Sequence, residues 1–174
     1  ELQEEIPEVD AFFGKFDWKG VLERMGEHFD ERIRNQRVLT TPDHYAYLKI
    51  SEGCNRTCSY CAIPIMTGKH KSRDFEELLE ECRALVKGGV KEILVVAQDL
   101  TYYGIDLYGK NRLAELIGRI ADIEGLEWIK LHYAYPAGFP LELLTVMRER
   151  PNVCKYLDIA LQHCSDHMLQ QMRR

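Results

Sequence analysis

YAYLKISEGCNRTCSYC, Tyr45 to Cys61, opens as a strand and ends as a cysteine loop. Tyr45–Ser51 is a short run rich in β-formers, bounded by Gly53. The ten residues that follow, Glu52 to Cys61, place Cys54, Cys58 and Cys61 in the spacing Cys-x-x-x-Cys-x-x-Cys. The loop therefore sits at the C-terminal end of a strand, which is the end where α/β barrels carry their active sites.

Downstream of the loop, helix and strand signals alternate. Asp74 to Lys87 reads as a helix, with Asp74 as cap, Glu77 at the capping-box position and Gly88-Gly89 as the stop. Val90–Ala97 (VKEILVVA) reads as a buried strand. Asn111 to Ile123 is a second helix, with Leu113, Leu116, Ile117 and Ile120 on one face and Gly125 past its end. Leu126–His132 is a third strand, Leu141–Arg148 a short helix after Pro140, and Val153–Leu161 a fourth strand. Ser165 is placed to cap a last helix. Such alternation predicts parallel βαβ units with helices outside the sheet. A closed barrel needs eight units, so the expected fold is α/β, a partial (βα) barrel.

Residues 1–40 have a different character. Glu1–Glu5 is acidic and helix-compatible, and Trp18 to Ile33 reads as an amphipathic helix with Val21, Leu22, Met25 and Phe29 at helical spacing. Pro42 forces Thr41 out of helical geometry and breaks the chain there. The expected division is an N-terminal helical and linker segment, 1–40, and a barrel core, 41–174. The first residues begin within a charged helical pattern, and Met172-Arg173-Arg174 ends on no stop signal. A piece of a longer protein is the expectation.

Of the 174 residues, 45% are hydrophobic, enough for a real core. No apolar run approaches the roughly 20 residues of a membrane span, and no secretory signal is visible. A cytoplasmic protein without a membrane partner is expected. The net charge of −5 gives no general attraction to nucleic acid. The one basic cluster, Lys69, His70, Lys71 and Arg73, reads as a solvated loop. Three of the six cysteines fall within eight residues. In a reducing compartment such clustering points to metal ligands rather than disulfides.

The count of three carries the chemistry. Structural zinc takes four ligands, and a 4Fe-4S cubane needs one thiolate per iron. Three thiolates leave one iron open. S-adenosylmethionine (SAM) can chelate that iron through its amino and carboxylate groups, and an electron from the cluster then breaks the sulfonium C–S bond to give a 5′-deoxyadenosyl radical. Against this stand a zinc knuckle completed by His70 or Cys82 and a dithiol at Cys58–Cys61. Gln98 and Asp99 end the second strand, where they could hold the SAM amino or carboxylate group, or cap a turn. Gln162 and His163 end the fourth strand and could reach the ribose. His132 and Tyr133 end the third and could line a substrate opening. Cys82 and Cys154 read as buried structural thiols and Cys164 as nearer the rim. Arg56, Lys69 and Arg73 flank the loop and could tune a cluster or meet acidic substrate groups.

The stretch YLKISEGCNRTCSYCAIPIMTGKHKSR, Tyr47 to Arg73, resembles the radical SAM superfamily and, within it, the methylthiotransferases. VVAQDLTYYGIDLYG (Val95–Gly109), LHYAYPAGFP (Leu131–Pro140) and YLDIALQHCSDHMLQQMRR (Tyr156–Arg174) are similar to the branch that methylthiolates an aspartate of small-subunit ribosomal protein twelve. The resemblance runs from about residue 44 to the end, with 1–40 similar to the tail of the family's N-terminal domain. It implies a 4Fe-4S cluster on Cys54, Cys58 and Cys61, SAM with its adenine against Tyr60, an external electron donor and a ribosomal-protein substrate. It also implies a second cluster on three N-terminal cysteines and a C-terminal RNA-binding-type β-domain. The chain departs on both counts: it has no second clustered triad, and nothing follows Arg174. Two alternatives stay open: the same chemistry on a tRNA adenosine, and a zinc-stabilised binding module without catalysis.

Overall fold

The computed structural model describes residues 2–14, 17–28, 30 and 37–174. The chain divides into two compact units, Glu1–Gln36 and Arg37–Arg174.

In the first unit, α1 spans Leu2–Glu5 and α2 spans Trp18–Arg24. Asp17 caps α2, its carboxylate accepting from the Gly20 N–H at 3.2 Å. The helix is shorter than its apolar spacing predicts. Met25 closes it and Gly26 follows at φ 80°, the left-handed geometry that ends a helix. Phe29 and Ile33, the far end of the expected helix, lie outside the described residues.

The second unit begins with β1, Tyr45–Lys49, then β2, Ser51–Glu52, α3, Ile63–Thr67, and β3, Lys71–Ser72. The helix α4, Phe75–Lys87, leads into β4, Glu92–Val96. A 3-10 turn at Leu100–Tyr102 and α5, Ile105–Tyr108, precede α6, Leu113–Ala121. Then come β5, Trp128–His132, α7, Glu142–Glu149, and α8, Asp166–Gln171.

β1, β4 and β5 form a parallel sheet in the order β1-β4-β5. Its register aligns Lys49 with Val96 and Val96 with His132. The three strands thus end together, and the loops after them lie side by side at one edge. Ala46, Leu48, Ile93, Val95, Ile129 and Leu131 point to one face and are buried. Against them pack Leu78, Leu79 and Cys82 of α4 and Leu113, Leu116, Ile117 and Ile120 of α6. This is the helix-covered side of a barrel wall, as the alternation predicted.

Two expectations need correction. Val153–Leu161 is not a fourth strand: it meets the sheet at two isolated bridges, Ile129 with Val153 and Ala134 with Ile159. Between them Lys155 is drawn off, its ammonium donating to the carbonyls of Met147 and Arg150 at the C-terminal end of α7. Ser165 stands at the N-cap position of α8 but makes no side-chain cap bond. Its N–H donates instead to His163 Nδ1 at 2.9 Å.

Candidate active site at the strand ends

The loop between β2 and α3 carries the cysteines, and it is fastened at both ends. The Cys54 N–H donates to the Gly68 carbonyl at 3.2 Å, and Asn55 Oδ1 accepts from the His70 N–H at 3.0 Å. Gly53 sits at φ 79°, where an added Cβ would lie 2.2 Å from the Lys69 carbonyl oxygen. Only glycine fits that close crossing of two backbones. At the far side, Ser59 donates its N–H to the Met172 carbonyl at 3.0 Å and its hydroxyl to the Gln171 carbonyl at 3.1 Å.

A cavity of about 250 Å³ opens over this loop. Cys54, Cys58 and Cys61 line it together with Tyr60, Gln98 and Gln162. Asp99 does not line it. Its carboxylate, 2% exposed, accepts from the Thr101 N–H at 2.9 Å, starting the 3-10 turn, and pairs with Arg56 Nε at 2.9 Å. His163 is also outside the lining and serves the α8 start.

Gln98 is half committed: its Nε2 donates to Glu52 Oε1, while its Oε1 is buried without a protein partner. Tyr133 and Gln162 both line the cavity with φ 70°. Backbone in that region costs a non-glycine residue about 1–3 kcal/mol, and such strain collects at functional sites. His132 turns away, its Nδ1 lying 3.5 Å from Asp158 Oδ2.

Two residues without any local signal complete the wall. Tyr135 directly follows the isolated-bridge residue Ala134, and Arg174 reaches in after α8. Both guanidinium carbons of Arg56 and Arg174 lie against the Tyr135 ring, 3.9 and 4.2 Å from its centre. The backbone N–H of Arg56 points at Cys54 Sγ at 3.4 Å, and the side-chain Nη1 of Arg174 at Cys58 Sγ at 3.6 Å. Lys69 is exposed, and Arg73 faces Glu77 and Glu81 at 2.7 and 2.6 Å. Of the three cations flagged by sequence position, Arg56 alone lines the cavity, its guanidinium held on Asp99, the Ala137 carbonyl and the Tyr135 ring. Burial pushes the Cys54 thiol up, and the Asp99 carboxylate adds to that against the Arg56 N–H. Burial likewise raises the Tyr60 and Tyr135 phenols, with Cys58 adding and Arg174 opposing.

The donor set suits a cluster better than a single ion. Among the described residues, no three His, Cys, Asp or Glu side chains converge as one tetrahedral ion requires. The three cysteines line one cavity together, and a cubane would take one thiolate on each of three irons. Neither alternative fourth ligand lines the cavity. Cys82 is fully buried in the core, and His70 Nε2 lies 3.2 Å from Ser72 Oγ. Cys154 is half-buried and Cys164 exposed.

Curated relatives match the whole chain. It is 66% identical over 174 residues to the ribosomal protein uS12 methylthiotransferase RimO of Porphyromonas gingivalis. It is 67% identical to that of Bacteroides fragilis and 52% to that of Flavobacterium johnsoniae. In each case the match covers 100% of this chain and 40% of the relative. The chain thus spans about two fifths of their length. Among solved structures, the radical S-adenosylmethionine methyltransferase TsrM of Kitasatospora setae, with tryptophan substrate and a SAM analog bound, superposes with a TM-score of 0.57 at 16% identity. That match covers 77% of this chain and 27% of TsrM. The same enzyme with cobalamin and a [4Fe-4S] cluster bound gives 0.55 at 17% identity, over 72% and 24%. These likenesses show the fold. Residues 48–174, from within β1 through the whole sheet and the cysteine loop, match the Radical SAM superfamily profile, and the chain belongs to the radical SAM superfamily.

Proposed function

We propose that this chain is the radical-generating core of a methylthiotransferase whose substrate is an aspartate of ribosomal protein uS12. The observation that carries the proposal is the 66% identity to RimO of P. gingivalis across all 174 residues. The cavity walled by the three cysteines supports it. Cys54, Cys58 and Cys61 would hold a 4Fe-4S cluster, which when bound supplies the electron that cleaves SAM at its open iron.

The protein's own part is binding, orientation and exclusion of water. Gln98 offers its unpaired buried Oε1 to the SAM amino group. Tyr60, half exposed at the cavity mouth, offers a flat face to the adenine. Gln162, which lines the same cavity, would reach the ribose. Asp99 acts one step back, by holding Arg56. Tyr133, 57% exposed, would line the substrate opening of the cavity.

Anaerobic purification of the full-length protein tests the proposal. A brown protein absorbing near 400 nm, carrying iron and sulfide, is expected; a colourless zinc protein would overturn it. Cys54→Ala, Cys58→Ala or Cys61→Ala should abolish 5′-deoxyadenosine formation. The methylthio mass increment should appear on uS12. Its appearance on tRNA nucleosides instead would transfer the assignment to the tRNA enzyme.

A further inference from the structure

The two arginines stacked on Tyr135 do something that the binding of SAM does not require of both. We propose that Arg56 and Arg174, fixed against Tyr135, set the reduction potential of the cluster by holding two positive charges beside Cys54 and Cys58. The inference rests on the cluster reading above.

Each guanidinium is placed by several contacts. Arg56 is pinned by Asp99 Oδ2 at 2.9 Å, by the Ala137 carbonyl at 3.1 Å and by the Tyr135 ring. Arg174 is held by the Ala160 carbonyl, the same ring and Cys58 Sγ at 3.6 Å, and its Nε is buried without a partner. Neither charge is free to swing away. Asp99, 2% exposed, offsets part of the Arg56 charge from behind. At Cys54 the Asp99 carboxylate opposes the Arg56 charge, and at Cys58 the Arg174 guanidinium lies against the sulfur at 3.6 Å.

Reduction adds one electron to the cluster, taken from a low-potential one-electron carrier, and neither guanidinium gains or loses a proton. The reduced cluster is the more negative form, so nearby cations favour it and raise the potential. Inside a partly buried site this interaction is weakly screened. N–H donors to cluster sulfur act in the same direction.

A mediator titration of the reconstituted full-length enzyme, followed by the electron paramagnetic resonance signal that Cys58→Ala removes, reads the potential directly. Arg174→Gln should lower the reduced-to-oxidised ratio roughly tenfold at fixed poise, a shift of about 59 mV for a one-electron couple. Arg174→Lys, which keeps the charge, should shift it by less than half of that. Arg56→Gln should move the potential down, Asp99→Asn up, and the double variant should return near the unsubstituted value. A purely structural role would push both single variants the same way. Loaded clusters with unchanged potentials in Arg174→Gln and Arg56→Gln would overturn the inference while leaving the cluster reading intact. An unsubstituted enzyme without iron and sulfide would remove the cluster reading, and this inference with it.

Discussion

Gly53 shows how much one residue of the loop decides. A side chain there meets the Lys69 carbonyl at 2.2 Å in a left-handed backbone, and neither obstacle yields to a rotamer change. Gly53→Ala is expected to cost at least about 2 kcal/mol in denaturant unfolding and to lower cluster content in parallel. Cys82 gives the opposite case. Burial pushes its pKa up to about 12, so at pH 8 only on the order of one thiol in ten thousand is ionised. Alkylation at pH 8 should label exposed Cys164 and spare Cys82 in the folded protein, as peptide mapping would reveal. Equal labelling of the two would contradict the buried position. At this scale the gathering of Cys54, Cys58 and Cys61 on one cavity was legible because their spacing is local in sequence. Tyr135 and Arg174 were not, because what brings them to Cys58 is the fold, and no interval along the chain encodes it.

Among the elements, α4 was the most legible. Asp74 accepts from the Glu76 and Glu77 N–H groups at 3.0 and 3.1 Å, where the cap signal predicted. The Glu77 N–H is the main cause holding the Asp74 carboxyl below its usual range, helped by the Tyr108 hydroxyl and opposed by desolvation. A depressed folded-state pKa means that the stabilisation is complete above the ordinary carboxylate range. It is lost as pH falls through the folded value. Asp74→Ala should therefore cost about 1 kcal/mol at pH 7 and progressively less as pH falls below the ordinary carboxylate range, measured by urea unfolding across that fall. A cost that persists in acid would rule the cap out as its source. The segment 153–161 was misread for a related reason. Its apolar run has strand composition, but Lys155 finds two carbonyls at the C-terminal end of α7, those of Met147 and Arg150, and leaves the ladder. Composition records what a residue favours and is silent on a competing acceptor one helix away.

For residues 37–174 as a whole, a single core joins the sheet to α4, α6 and α7. Ile117 and Leu116 are fully buried in it, so either alanine substitution should cost about 2–5 kcal/mol and lower one cooperative transition rather than split it. Two separate transitions within this unit would contradict a shared core. Periodicity reported that core well, since burial and helical spacing are two views of one geometry. The register of the strand ends was beyond it, because strand alignment is set by pairing across the sheet. The docking of Ser59 on the Gln171 carbonyl, 112 positions away, has a consequence for the newborn chain. A ribosome adding about 5–20 residues per second finishes that far anchor on the order of ten seconds after the thiols emerge. During that interval Cys54, Cys58 and Cys61 travel without the wall that later shields them. Oxygen or stray metal meeting the chain then would act on an open loop, so protein synthesised without oxygen should carry more free thiol at these three positions than protein synthesised in air.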